Sequence, residues 1–377
     1  MTRARKLTFY EFFAGGGMAR IGLGDRWRCL FANDFDPAKR AAYGANFGLD
    51  HHHGGDINAL GLDALPGGRV DLAWASSPCQ DLSLAGARGG LAAARSGAFF
   101  GFWRLVSALD AAGRKPRALV IENVVGLLTS NGGADFFRVI SLVAARGYLV
   151  SALVLDARDF APQSRPRLFI IGLEEDAGAF SQTSPAPDAA APPALLEAVE
   201  RLPGAAKRRW RWIHDRPVAA RNLSLIDIID EAAPFDSNAA TQAHLKSMTP
   251  RQRAAIAALA KTGGRHVGAA FRRIRVENGE KRARIEARFD GLAGCVRTPA
   301  GGSSRQIIFD IAGGRIRSRL MTPREAARAM GLVDDYRLPA GATAALKLIG
   351  DGVAPPVVAW LAERVLEPAL AGAQKAA

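Results

Sequence analysis

Strand-like and helix-like segments alternate along the first 173 residues, and this alternation constrains the fold more than any other feature of the chain. Apolar or β-branched runs stand at Leu7 to Phe13, Arg28 to Ala32, Val70 to Ala75, Ala118 to Ile121, Tyr148 to Leu155 and Leu168 to Leu173. A helix is expected from Pro37 to Asn46, after the second of them. Ala118-Leu119-Val120-Ile121 is apolar throughout, as a central parallel strand buried on both faces requires. Strands alternating with helices lead to an α/β fold with a doubly wound sheet. A chain of 377 residues is long enough for that sheet and a second domain.

The alternation stops after Gly172. Residues 177–200 are rich in Ala, Pro, Ser and Thr and read as a linker. From about 205 to 305 the chain is strongly basic, with Lys207-Arg208-Arg209-Trp210-Arg211-Trp212, Arg272-Arg273-Ile274-Arg275 and Lys281-Arg282-Ala283-Arg284. Regularity returns at Thr322-Pro323-Arg324-Glu325, where threonine is a good N-cap, proline suits the first helical position and Glu325 completes a capping box. A last helix is expected at about Val357 to Ala369. The segments expected are thus 1–175, 176–310 and 311–377. Fifty Lys and Arg against 36 Asp and Glu give a formal charge of +14, which points toward a polyanion, nucleic acid above all. Cys29, Cys79 and Cys295 are too far apart for a CxxC site, so neither a disulfide framework nor a metal is expected. His51-His52-His53 has no acid or cysteine at matching spacing and reads as a surface turn. No signal peptide and no membrane span are expected, and a reducing, cytoplasmic setting fits.

Three places carry chemistry. Glu11-Phe12-Phe13-Ala14-Gly15-Gly16-Gly17 joins a strand to a helix, where glycines admit a ligand close to the backbone. Arg20 stands where a dinucleotide fingerprint has its third glycine. Asp34, at the tip of the second strand, is placed to bond ribose hydroxyls, and Phe35 to stack on an adenine. A nucleoside cofactor without a pyrophosphate fits; a plain glycine turn with Asp34 as a helix cap is the alternative. Cys79, in Ser76-Ser77-Pro78-Cys79-Gln80, follows a strand at the edge where open α/β sheets put their active sites; a buried structural cysteine is the alternative. Glu122 ends a fully apolar strand, either as a proton donor or as a helix N-terminal charge. Arg165 and Arg167 alternate before a strand, a spacing that points both the same way, toward a carboxylate, a phosphate or a pyrimidine carbonyl.

Taken in order, these elements resemble the cytosine-5 DNA methyltransferase family of bacteria. Residues 13–17 resemble its cofactor motif, Pro78-Cys79-Gln80 its nucleophile motif, Glu122-Asn123-Val124 its acid motif and Gln163-x-Arg165-x-Arg167 its arginine motif. Arg319 to Gly331 resembles its late helix motif and Gly350-Asp351-Gly352-Val353 its last. Two departures stand out: Gly17-Met18 replaces a glycine pair, and Asp351 replaces the usual asparagine. The likeness covers about 7–172 and 315–365, and the basic insert falls where the family carries its variable target-recognition domain.

The resemblance implies a Rossmann-like methyltransferase sheet with a smaller basic domain, and S-adenosyl-L-methionine as methyl donor. Cys79 is then the nucleophile that adds to the cytosine ring, Glu122 the acid at ring nitrogen 3, Arg165 the partner of the carbonyl at carbon 2, and Arg167 a residue orienting Glu122 or the substrate. Phe13, Gly15, Gly17, Asp34, Phe35, Asp56, Ile57, Pro78, Asp351 and Val353 are implied for the cofactor. Gln80, Ser83, Arg95, Arg297, Ser303, Ser304 and Arg305 are implied for DNA, and 81–96 reads as a lid closing on a flipped-out base. The partner implied is double-stranded DNA, with a monomer as the expected state, a bacterial nucleoid-associated location, and a cognate restriction endonuclease as a companion of such enzymes. Three other readings stand beside it: a tRNA cytosine-5 methyltransferase, disfavoured by the large insert; a sequence-specific DNA-binding protein with a decayed site; and a Rossmann-type oxidoreductase, disfavoured by Arg20.

Overall fold

The structure, a computed structural model, describes residues 5–77, 97–174, 183–184, 191–213, 221–277, 279–298 and 305–372. The chain forms two compact units. One comprises Met1–Asp156, Pro166–Val218 and Pro355–Ala377; the other comprises Ala157–Arg165 and Ala219–Ala354.

The first unit is built on a seven-stranded sheet in the order β3-β2-β1-β4-β5-β7-β6. Its strands are β1 (Leu7–Phe12), β2 (Trp27–Asp34), β3 (His52–Gly54), β4 (Leu72–Ser76), β5 (Ala118–Val124), β6 (Leu149–Asp156) and β7 (Pro166–Leu173). β1 to β5 run parallel, and β7 enters antiparallel between β5 and β6. Burial explains the apolar centre: Leu72 to Ala75 and Ala118 to Val120 are 0% exposed. Each large side chain buried in this way contributes about 1.5–3 kcal/mol relative to exposure. The helix Pro37–Phe47 starts as its sequence requires, with Asp36 accepting from the Ala38 and Lys39 amides and proline in the first turn. Because β1, β2, β4 and β5 are parallel, Phe12, Asp34, Ser76 and Glu122 all stand at one edge of the sheet.

The second unit contains a four-stranded antiparallel sheet, β11-β10-β8-β9. Its strands are β8 (His266–Glu277), β9 (Glu280–Arg288), β10 (Ile307–Ala312) and β11 (Arg315–Leu320). Leu245, Met248, Ile256, Ala270, Ile285, Ile307, Phe309 and Ile311 form its core. The capping box at Thr322 forms, with Glu325 folded back on the Thr322 amide.

Three expectations differ from what the fold shows. The compact units do not divide at 175 and 310. Trp210 and Trp212, read as part of the basic insert, bury their rings in the core of the first unit, where Trp210 meets Phe136 edge-on. Residues 311–354, expected to rejoin the sheet, belong to the second unit, and the return comes at Pro355. The histidine run is no surface turn: His52 opens β3 and is 5% exposed. Burial pushes its imidazole down to about 4. Finally, the helical run Ala342–Ala371 does pass for a membrane span by length and hydropathy, but 56% of its 18-residue apolar window is buried inside the protein and Gly352 to Ala354 interrupt it.

Candidate active site

The loop after β1 is held open by its backbone. Gly17 has φ +76°, and a β-carbon there would stand 2.4 Å from the Phe47 ring, so glycine is required twice over. Phe13 itself sits at φ 58°, an uncommon conformation for a bulky residue. Above Gly15 nothing lies within 4 Å of where a β-carbon would be. Asp34, on β2, accepts from the Gly15 amide at 2.8 Å and the Asp36 amide at 2.8 Å. Burial pushes its carboxyl above the usual range, against the lowering effect of Lys39 and those two amides. Phe35 follows with 74% of its surface exposed. Asp56 caps the turn Ile57–Ala59, and Ile57 is buried. A cradle with no side chain over Gly15, a carboxylate beside it and an open aromatic face suits a nucleoside with a small tail. The arrangement around Gly15, Asp34 and Phe35 is compatible with the S-adenosylmethionine that the resemblance implies.

Further along the same edge, Glu122 ends the apolar part of β5 and is 7% exposed. Arg167, at the start of β7, places Nε 3.3 Å from Glu122 Oε1. The register pairs Arg167 with Val124 and so delivers the guanidinium to the end of β5. Between β4 and β5, Asn123 Nδ2 donates to Ser77 Oγ at 3.2 Å, and Asn123 Oδ1 accepts from the Val124 amide. Asn123 thus ties together the two strand ends that lead to the nucleophile motif and carry the acid. That tie is a role the sequence alone did not reveal.

Arg165 is placed otherwise than expected. It belongs to the second unit and is 3% exposed. Its Nη1 donates to the Val296 carbonyl at 2.8 Å and to Cys295 Sγ at 3.3 Å. Its Nη2 donates to the Gly350 and Gly352 carbonyls at 2.8 Å each. A guanidinium so committed fastens backbone segments rather than waiting for a pyrimidine carbonyl. Gln163 does similar work: Oε1 accepts from the Val296 amide and Nε2 donates to the Ala329 carbonyl. Gln306 exchanges two bonds with the backbone of Gly294. Three buried polar side chains therefore pin 294–296, the stem that leads into Arg297.

Of the residues expected on DNA, Arg297 is exposed. Arg305 is part-buried and donates to the Met321 carbonyl at 3.1 Å. Asp351 accepts from Thr298 Oγ1. Gly350 allows this approach, since a β-carbon there would lie 2.4 Å from the Thr298 amide nitrogen. Val353 is buried. Pro78, Cys79, Gln80, Ser83 and Arg95, the expected lid at 81–96, and Ser303 and Ser304 lie outside the described residues.

A buried polar cluster stands behind the cofactor loop. Arg20 Nη1 donates to Tyr43 Oη at 2.9 Å and lies 2.6 Å from His51 Nε2. Its guanidinium sits 4.6 Å from the centre of the Phe47 ring. Cys29 Sγ is 3.7 Å from the same hydroxyl. Burial, more than the Arg20 charge offsets, pushes the Glu11 carboxyl up to about 8. Burial and Glu11 together push the Cys29 thiol up to about 12. Arg20, noted in the sequence only as a missing glycine, is thus the hub of this cluster.

Residues 7–367 match the model of the C-5 cytosine-specific DNA methylase family. The chain belongs to this family. It stands with the DNA cytosine-5 methyltransferases, and the two curated relatives described next are bacterial. The Type II methyltransferase M.HpaII of Haemophilus parainfluenzae is 27% identical over 96% of this chain and 90% of its own length. The Type II methyltransferase M.BsuFI of Bacillus subtilis is 35% identical over 47% of this chain, a stretch that spans 41% of M.BsuFI. Among solved structures, an S. pombe Dnmt2 methyltransferase superposes with a TM-score of 0.60 over 96% of this chain and 99% of its own, at 16% identity. That likeness establishes the fold.

Proposed function

We propose that the chain transfers the methyl group of S-adenosylmethionine to carbon 5 of a cytosine turned out of double-stranded DNA, while Cys79 holds the ring covalently. The observation that carries this reading is the Glu122–Arg167 pair at the same sheet edge as the open cofactor loop.

S-adenosylmethionine supplies an electrophilic methyl carbon on a sulfonium. Carbon 5 of cytosine is too weak a nucleophile to take it unaided. The Cys79 thiolate, adding to carbon 6, makes carbon 5 enamine-like and able to form the new bond. Glu122 shares or gives a proton at ring nitrogen 3, offsetting the charge that the addition places on the ring. Arg167 orients Glu122 and is the arginine assigned here to the carbonyl at carbon 2, a role the sequence suggested for Arg165. The methyl–sulfur bond breaks as the new bond forms, and S-adenosylhomocysteine leaves as a neutral thioether; loss of the carbon-5 proton to water then re-forms the double bond and expels Cys79 as thiolate, and Glu122 recovers its proton from nitrogen 3, so the enzyme returns unchanged. Extracting the base from its stack costs a few kcal/mol, which contacts to the duplex must offset. Arg297 and the rest of the second unit are assigned to those contacts, with phosphates taken by the basic side chains. A bacterial cytoplasmic, nucleoid-associated setting, a monomer, and a restriction endonuclease of the same specificity complete the proposal.

The test is transfer of label from tritiated S-adenosylmethionine to unmethylated duplex DNA and, separately, to tRNA. Label in duplex DNA that hydrolyses to 5-methylcytosine is expected. Label in tRNA with none in DNA, or no transfer to either, overturns the proposal.

A further inference from the structure

His51 belongs to a wall behind the cofactor loop that the chemistry at Glu122 does not use. The loop rests on two rings of the helix Pro37–Phe47. Ala14 packs with Ala32 and Tyr43 in a small apolar cluster of their own, with Cys29 and Phe47 against it. At Gly17 a β-carbon would stand 2.4 Å from the Phe47 ring and 3.0 Å from the Tyr43 ring, so both rings bear directly on the loop backbone. Tyr43 is 0% exposed, and a hydroxyl buried in this way needs partners. Arg20 Nη1 and His51 Nε2 supply them at 2.9 and 3.0 Å, and lie 2.6 Å from each other. The three side chains close a triangle. Its corners come from the helix Met18–Leu23, the helix Pro37–Phe47 and the turn before β3.

The triangle admits one protonation state. A guanidinium has only donors, so His51 Nε2 must accept from Arg20, and the ring proton sits on Nδ1. Tyr43 Oη accepts from Arg20 and can turn its own proton to the same Nε2. A second proton on His51 would set N–H against N–H and cation against cation. Burial first, then the Arg20 charge, push the His51 imidazole below its usual range, against the opposite pull of Asp50. The other titratable groups around the triangle are Glu11 on β1 and Cys29 on β2, which face the Tyr43 hydroxyl, and His52, which meets the Tyr43 ring and has the Arg40 charge beside it.

We propose that Arg20, Tyr43 and His51 are positioning residues for the methyl donor, and that the loop they support holds S-adenosylmethionine at full affinity only while His51 is neutral. This rests on the methyl-donor reading above and adds to it a control by pH. With the triangle closed, the Tyr43 and Phe47 rings are fixed and Gly17 has one surface to lie on. A protonated His51 loses both bonds and frees the rings to shift, so donor binding must first restore them. Affinity is therefore full above the titration of the imidazole and falls as pH drops through it. Asp34, whose carboxyl is itself raised, also takes up a proton in acid. The variant that isolates His51 is thus one that accepts a hydrogen bond and does not titrate.

The experiment titrates the full chain with S-adenosylmethionine in a calorimeter from pH 5 to 8. Tyr43→Phe deletes the hydroxyl and His51→Leu the acceptor. Each is expected to weaken binding about ten-fold at pH 8, the scale of a hydrogen bond to a charged group. Methyl transfer at saturating donor is expected to change far less, so the effect falls on KM rather than kcat. His51→Gln places an amide oxygen at the reach of Nε2 and is expected to recover most of the affinity lost in His51→Leu. It is also expected to lack the extra decline in affinity that wild type shows below about pH 6.5. Melting temperatures at both ends of the range establish that each variant is folded during titration. Should Tyr43→Phe not fold, the comparison of His51→Gln with wild type decides. Parallel pH profiles for those two overturn the proposal, as do wild-type affinities in both Tyr43→Phe and His51→Leu. In those cases wild type still binds the donor, and the function proposed above stands. A wild type that binds no S-adenosylmethionine at any pH overturns both.

Discussion

Arg167 Nε lies 3.3 Å from Glu122 Oε1, across the β5–β7 register, and both side chains are largely buried. The pair stands where the strand carrying the acid meets the strand that begins with the arginine, so its geometry is set by backbone pairing rather than by a loop. Arg167→Ala leaves Glu122 without that partner and removes the donor proposed above for the ring carbonyl. A loss of about a hundred- to a thousand-fold in kcat is expected, the usual cost of deleting one such donor. Single-turnover methyl transfer with S-adenosylmethionine affinity as control checks it; Arg167→Lys is expected to recover part of the loss.

Arg165→Ala is expected to act on stability rather than directly on the ring. It strands the buried carbonyl of Val296, worth roughly 1–3 kcal/mol when unsatisfied, and the part-buried carbonyls of Gly350 and Gly352, which cost less because water reaches them. A lowered midpoint of chemical unfolding, with a loss on the order of 3 kcal/mol, is the measurement. A variant as stable as wild type but dead in transfer contradicts this division of labour between the two arginines.

The two arginines show what the sequence could and could not disclose. Their alternate spacing was legible, as were the parallel strands, the glycine loop after β1 and the carboxylate at the end of β5, because each follows from local periodicity or turn chemistry. That Arg167 orients Glu122 was among the expectations; that Arg165 is committed to backbone carbonyls was not legible, because it lies in the unit formed by 157–165 and 219–354, and its partners come from residues more than a hundred positions away. β8 and β9 escaped notice for another reason: in Arg272-Arg273-Ile274-Arg275 and Lys281-Arg282-Ala283-Arg284 the exposed charges hide a period of two. Trp210 and Trp212 were read by their basic neighbours instead of by their own apolar area. The buried cluster around Arg20 depends on a three-dimensional meeting of β1, β2 and two helices that no spacing announces.

Glu11 predicts a pH dependence. Its carboxyl is raised from an ordinary 4.5 to about 8. Between those values the native state keeps a proton that the unfolded chain has released, so stability falls as pH rises through that window and levels off above it. Glu11→Gln, which holds a neutral group at the same place, is expected to flatten this decline. Melting temperatures from pH 5 to 9 in both proteins test it, and parallel curves count against the assignment.

Asp351 stands where the resemblance led to an asparagine, and its one described side-chain partner bears on that exchange. The Thr298 hydroxyl donates to it, and an amide oxygen accepts that bond equally well. Asp351→Asn is expected to change kcat and the S-adenosylmethionine KM by less than about two-fold, whereas Asp351→Ala loses the acceptor and weakens stability by about 1 kcal/mol. Steady-state kinetics and thermal melts distinguish the two.

The covalent role of Cys79 is the centre of the account, and a trapped adduct tests it most directly. In duplex DNA carrying 5-fluorocytosine, the carbon-5 fluorine cannot leave as a proton does, so the step that expels Cys79 is blocked after methyl transfer. Wild-type protein with S-adenosylmethionine is predicted to form a complex that survives denaturant and yields, after digestion, a peptide joined to the base through Cys79. Cys79→Ser is predicted to form none. Methylation of ordinary duplex DNA by the wild type without any adduct on the fluorinated duplex, or an equal adduct in Cys79→Ser, would contradict it.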